Sequence, residues 1–207
     1  TFGSQPGILV GTQMLAKGHD LPNLSLVAVV GIDEGLFSAD FRAHEKVAQM
    51  LVQVAGRAGR ATRAGEVWLQ THHPDHPLLQ TLIEGGYHAF AGQELLEREA
   101  AGFPPFAHLA LLRAEAASND GPLAFLHAAR TLLEAVPAGE SAGLELHGPL
   151  PAPMPRRAGM QRMHLLLSSP DRRTLHAALD AAVPALYALP EARKVRWSLD
   201  VDPIDLY

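Results

Sequence analysis

The sequence predicts an α/β protein in two parts: a parallel sheet with flanking helices over residues 1–104, then a small, sandwich-like α/β domain over residues 105–207. Three observations predict it. Two apolar runs rich in strand formers, Ile8-Leu9-Val10 and Leu24 to Ile32, precede a segment of helical periodicity, the element order of a parallel sheet. Phe103-Pro104-Pro105-Phe106 then interrupts the chain, because two prolines end a helix and stiffen the link that follows. Beyond it the pattern reads strand, helix, strand twice over, as in a small sheet with helices on one face.

Composition bounds the rest. The 207 residues are 47% hydrophobic and 19% charged, which reads as soluble and globular. A net charge of −5 excludes a generally basic nucleic-acid binder, so any such contact is a local patch. With no cysteine there is no disulfide framework and no cysteine-ligated zinc, which fits the cytoplasm. No apolar run nears transmembrane length. The chain opens on Thr1 without a start methionine, so a longer parent protein is expected.

Ile8-Leu9-Val10 ends at Gly11-Thr12 and reads as a buried strand meeting a loop. Gln13 to Lys17 suits one helical turn stopped by Gly18, and Leu21-Pro22-Asn23 is turn chemistry. The nearly continuous run Leu24 to Ile32 suits a parallel strand covered on both faces. Between them, G-T-Q-M-L-A-K-G-H-D (11–20) leaves the carboxyl end of the first strand, the usual ligand edge of an open α/β sheet. Thr12 and Gln13 offer a hydroxyl and an amide to a phosphate or sugar, and Lys17 offers a point charge. Asp20 can accept from a ribose hydroxyl or from an arginine of the motif described next. An ordinary capped strand-to-helix loop carries the same residues.

Lys46 to Gly59 has helical periodicity: Val47, Met50, Leu51 and Val54 form one apolar stripe. Gln53, Arg57 and Arg60 are spaced by four and three, which puts them together on one face. Gly56 and Gly59 remove side chains between them, so another surface can approach the backbone. Paired guanidinium forks beside small residues suit an anion with several oxygens, as in an arginine finger. Arginines at a helix end also complement the macrodipole.

Residues 61–64 read as a loop and Glu66 to Thr71 as a strand. His72, His73 and His76 resemble metal ligands, but Pro74 and Pro77 break any helical spacing and Asp75 is the sole nearby carboxylate. They read as a structural loop, with no metal. Leu78 to Glu84 and Tyr87 to Ala101 form two helices split at Gly85-Gly86. Phe90, Leu95 and Leu96 make the buried side, and Glu94, Glu97, Arg98 and Glu99 the solvated face.

In the second part, residues 107–115 suit a strand, 122–136 a helix, 143–147 a short strand and 161–168 a strand. Residues 171–188 suit a helix with Leu175, Leu179, Ala182 and Leu186 inside. Val195, Trp197, Leu199 and Val201 alternate with Lys194, Arg196, Ser198 and Asp200, the period of a half-buried strand. Residues 149–160 carry four prolines and Arg156-Arg157, a stiffened basic loop that either contacts a nucleic-acid backbone or is merely solvated.

The string Q-x-x-G-R-x-G-R (53–60) resembles motif VI of superfamily 2 helicases. With G-T-Q-M-L-A-K-G-H-D-L-P-N-L-S-L-V (11–27), F-S-A-D-F-R-A-H-E (37–45), G-E-V-W-L-Q-T-H-H-P-D-H-P (65–77), F-P-P-F (103–106) and D-V-D-P-I (200–204), the chain resembles the PriA family, primosomal proteins N′ that restart stalled replication forks, along essentially its whole length. That resemblance implies the C-terminal part of a RecA-like helicase lobe followed by a domain similar to a ribosomal small-subunit protein. It implies an ATP- and Mg-dependent 3′-to-5′ DNA helicase acting at forked DNA, in the cytoplasm, with other primosome proteins as partners. Arg57 and Arg60 would stabilise charge on the γ-phosphate, and Gln53 would orient the nucleotide or the attacking water. Gly56, Asp20 and Lys17 would stand beside the nucleotide, and Thr12 and Gln13 at the DNA backbone. A phosphate-binding loop, a D-E-x-H string and the family's zinc-binding cysteine pairs are absent here, so this segment by itself should be inactive. Gly31 replaces the usual Asp, and Met160, Gln161, Met163 and His164 replace aromatics near an edge where the family binds the tail of the single-strand-binding protein. A fork-binding scaffold that recruits restart proteins without unwinding is the alternative.

Overall fold

The structure, a computed structural model, describes residues 6–12, 24–56 and 65–206. The chain divides into two compact units, Thr1–Leu95 and Leu96–Tyr207.

In the first unit, β1 (Leu26–Val29) pairs in parallel with β2 (Glu66–Leu69), Leu26 opposite Glu66 and Val29 opposite Leu69. A one-turn helix α1 (Asp33–Leu36) follows β1, and α2 (Ala43–Ala55) packs on it. A methyl group at Gly35 would stand 2.3 Å from Val47 Cγ2, so a side chain there would force Val47 to shift at the α1–α2 contact. Ile32, Leu36, Val47, Ala48, Leu51, Leu79 and Phe90 share one core. The stripe predicted on the long helix is observed, with Val47, Leu51 and Val54 buried.

Three expectations for this unit are corrected. Ile8-Leu9-Val10 is not a buried strand: Ile8 and Val10 are 90% and 87% exposed, and the segment has no regular structure. A strand satisfies its backbone groups only against a neighbour, and none pairs with it among the described residues. The run from Leu24 is likewise not covered on both faces. Val27 and Val29 are half-buried, while Leu26 and, in β2, Trp68 lie on an exposed face.

The third concerns α3 (Pro77–Ala101), which kinks at Gly86 (φ 71°, ψ −173°), in agreement with the expected break. In its second half Glu94 is buried, whereas Leu95 and Leu96 are exposed, the reverse of the expectation. Phe90 anchors the inward face, and the residue four positions on must share that face. His44 meets the resulting buried carboxylate at 3.5 Å.

The second unit is a four-stranded antiparallel sheet in the order β4-β5-β3-β6. Its elements run β3 (His108–Ala116), α4 (Asp120–Glu134), the short α5 (Ala138–Ser141), β4 (Glu145–Arg157), β5 (Met160–Ser169), α6 (Arg172–Ala188) and β6 (Arg196–Val201). This is the split β-α-β, β-α-β arrangement. Helices α4 and α6 cover one face: Phe125, Leu126, Ala129, Leu175, Leu179, Ala182 and Leu186 pack on Ala110, Leu112, Leu165 and Leu167. By strand alternation Leu109 and Leu111 lie on the other face, yet they are buried too. The chain after β6 reaches that face, where Arg113 Nη2 donates to the Asp205 carbonyl at 3.0 Å.

The proline-rich stretch 149–160 is not a loop. It is most of the edge strand β4, joined to β5 by a two-residue turn at Ala158 (φ 49°) and Gly159 (φ 80°). Pro149, Pro151, Pro153 and Pro155 recur at every second position, and the ladder is interrupted between Pro151 and Arg156. Prolines are tolerated in a sheet at an edge or bulge, where a missing N–H is not needed for pairing.

Candidate functional site

Helix α2 presents Gln53 near its carboxyl end, and its amino end is clamped. The buried Asp40 carboxylate accepts from Arg42 N–H at 3.1 Å and Lys46 Nζ at 2.6 Å. Its own N–H donates to Ser38 Oγ at 3.2 Å. His44 ties the same turn to α1 and α3, with Nε2 3.0 Å from the Leu36 carbonyl and Nδ1 3.5 Å from Glu94. Sequence reading passed over this clamp, because Asp40 stands two residues ahead of the N-cap, Arg42, outside the usual helix-start position. A 13-residue helix fixed at one end and packed along Val47, Leu51 and Val54 delivers its other end to a defined place.

At that end Gln53 is exposed, and Gly56 closes the helix with its N–H on the Val52 carbonyl at 3.0 Å. Gly56 has φ −67°, and an added Cβ would lie 3.4 Å from that carbonyl oxygen, an ordinary contact. Among the described residues nothing demands glycine there. Thr12 is described and exposed. Arg57, Arg60, Gln13, Lys17 and Asp20 lie outside the described residues.

The carboxyl ends of β1 and β2 are linked. Gly31 leaves β1 with φ 69°. Just beyond, the Asp33 carboxylate accepts from the Thr71 hydroxyl and from His72 N–H. Those two bonds, Thr71 first, hold its pKa below the usual carboxylate range. Among the described residues His72, His73 and His76 do not converge with carboxylates at metal-ligand spacing.

In the second unit Arg156 and Arg157 are exposed beside the hairpin turn, and no ion pair holds either among the described residues. The open sheet face holds a cavity of ≈ 210 Å³ lined by Arg113, Glu115, Arg162, His164 and Arg196. Its charges are largely engaged internally. Arg113 meets Asp200 at 2.9 Å and Asp205 at 3.9 Å, while Glu115 meets Arg196 at 3.4 Å and Arg162 at 3.8 Å. Burial, then the charges of Arg113 and Arg162, push the His164 pKa below its ordinary value. Arg113 and Glu115, alternating with Leu112 and Ala114 at the end of β3, were the available signal for this network.

Two family models match the chain: the Helicase conserved C-terminal domain over residues 1–62 and the Primosomal protein N C-terminal domain over residues 99–204. Replication restart protein PriA of Haemophilus influenzae is 50% identical over 199 residues, covering 96% of this chain and 27% of its own length. PriA of Synechocystis is 40% identical over 163 residues (79% of this chain, 19% of its own length), and that of Bacillus subtilis 33% over 196 residues (95% and 24%). The chain thus spans about a quarter of the length of the relatives it matches. Among the described residues no helix is long and apolar enough to cross a membrane.

The chain thus pairs a match to the RecA-like helicase C-terminal domain with a separate small antiparallel α/β unit that matches the primosomal protein N C-terminal domain. The chain belongs to the PriA family of replication restart proteins, matching the C-terminal portion of its members.

Proposed function

We propose that this chain supplies the C-terminal part of the second RecA-like lobe and the C-terminal domain of an ATP- and Mg-dependent 3′-to-5′ helicase that binds forked DNA and assembles the primosome. The observation carrying the proposal is the clamped helix α2, which holds Gln53 at its exposed carboxyl end, immediately ahead of the two arginines. A cation held rigidly at a phosphoryl group stabilises developing charge without reorganising, the largest single contribution in such reactions. In this reading Arg57 and Arg60 act on the γ-phosphate, and Gln53 orients the nucleotide or attacking water. Asp20, Lys17 and Gly56 line the nucleotide side. Gly56 fits that role, since nothing among the described residues excludes a side chain there.

Thr12, Gln13, Arg156 and Arg157 meet the DNA backbone. The exposed pair at the hairpin tip, free of ion pairs among the described residues, is available to phosphates. Other primosome proteins and the tail of the single-strand-binding protein are the protein partners of this reading. Zinc belongs to a cysteine module outside this sequence.

The test is ATP hydrolysis by the full-length protein with forked DNA. Arg60→Ala should lower turnover about 10³-fold or more, the scale of an arginine finger, with DNA affinity retained. A wild-type protein that binds forks and hydrolyses nothing would establish the second reading, a recruiting scaffold. Gly31 in place of the family's carboxylate is the feature that favours it.

A further inference from the structure

The cavity on the open face of the second sheet takes no part in the proposed helicase mechanism. Strand register builds it. His164, Arg113 and Ser198 lie side by side across β5, β3 and β6, and Arg162, Glu115 and Arg196 make the next row. Arg113 has Asp200 at 2.9 Å and Asp205 at 3.9 Å. In the other row Glu115 serves both Arg196, at 3.4 Å, and Arg162, at 3.8 Å, so that row holds one more positive charge than negative.

Two donors here are poorly matched. The Arg162 side chain is only 14% exposed, yet among the described residues it meets just Glu115, at 3.8 Å, and the Met154 carbonyl, 3.5 Å from Nη1. Contacts that long are weak, and a guanidinium taken out of water without strong partners is costly. Arg113 Nε is buried and has no hydrogen-bond partner among the described residues. The two guanidiniums converge: after burial, their charges are what hold the His164 pKa down, so both stand close to one imidazole.

This arrangement selects the ligand. Unmatched N–H donors beside excess positive charge suit an oxyanion. Forks rooted on two different strands suit the tetrahedral oxygens of a phosphate better than the single plane of a carboxylate. The cavity, ≈ 210 Å³, is far larger than one water requires.

We propose that Arg162 and Arg113, with His164 beside them, bind a phosphate group in this cavity. The site lies within the second unit and stands independently of the helicase reading.

Inorganic phosphate and the full-length protein test it, with hydrogen exchange read on peptides covering 160–169. At about 10 mM phosphate, ten times a Kd of about 1 mM, their exchange should slow about tenfold, and chloride at equal ionic strength should leave it unchanged. Arg162→Gln should raise the phosphate concentration required about tenfold or more, the loss of a hydrogen bond to a charged group. Arg162→Lys, which keeps the charge without the fork, should raise it less. Peptides from α4 and α6 that exchange as in wild type show that a variant is folded. An oligo-dT strand separates the sources. One that protects the same peptides and gives way to phosphate identifies the group as a DNA phosphate, and one without effect identifies free phosphate. Absent protection of the wild type, equal protection by chloride, or undiminished protection in folded Arg162→Gln overturns the site.

Discussion

The clamp on α2 makes a quantitative prediction. Asp40→Ala removes a buried carboxylate that accepts from Arg42 N–H at 3.1 Å and Lys46 Nζ at 2.6 Å. A hydrogen bond to a charged group is worth roughly 1.5–3 kcal/mol. The lysine side chain is 46% exposed, so solvent screens that share to about 1 kcal/mol. The sum is a loss of about 2.5–4 kcal/mol, felt where the clamp acts. Native-state hydrogen exchange of peptides covering 43–55 reads it directly, and their amides should exchange about 70- to 850-fold faster. Peptides from α4 and α6, in the other unit, should not change. Lys46→Ala should cost about 1 kcal/mol, and adding it to Asp40→Ala should cost little more, because the two share one interaction. Exchange in 43–55 that stays within about twofold of wild type would refute the reasoning. If α2 aims the arginines, Asp40→Ala should also lower ATP turnover in the full-length protein.

Other consequences follow from backbone geometry and from one cap. Gly148 has φ 115°, and a Cβ there would lie 2.9 Å from both the His164 carbonyl oxygen and the Leu150 nitrogen. Gly148→Ala should therefore destabilise the second unit by about 3 kcal/mol in urea unfolding. Ala158, with φ 49° ahead of Gly159, occupies a turn position that favours asparagine, so Ala158→Asn should raise the urea midpoint by an amount equivalent to about 0.5–1 kcal/mol. Asp171 caps α6 by accepting from Thr174 N–H at 2.9 Å and its hydroxyl at 3.1 Å, bonds that hold its pKa low. A depressed folded-state pKa gives stability that is present above the unfolded value, near 4, and lost as pH falls through the lower folded one. Asp171→Asn should thus melt below wild type at pH 7, with the gap closing in acid. A constant gap would show that the carboxylate charge contributes nothing.

What the sequence by itself determined is whatever depends on residues near one another along the chain. The stripe Val47, Leu51, Val54, the break at Gly85-Gly86, the inward set Leu175, Leu179, Ala182, Leu186 and the alternation through Trp197 and Leu199 all reappear in the structure. Periodicity suffices there, because a helix or strand exposes its faces by its own geometry. The string from Gln53 to Arg60 is also read from local spacing, but Arg57 and Arg60 lie outside the described residues.

Only the tertiary structure decided which neighbour each face meets. Glu94 lies inside because Phe90 sets the helix face and His44 stands opposite its carboxylate. The prolines of 149–155 form a strand because they run along an edge that requires no further donors. Ile8 to Val10 lies exposed because no strand pairs with it among the described residues. The Asp40–Lys46 clamp, the Asp33–Thr71 link and the Arg113–His164 register join groups whose meeting no local pattern specifies. Burial and partnership are properties of pairs of elements, and the packed fold brings those pairs together.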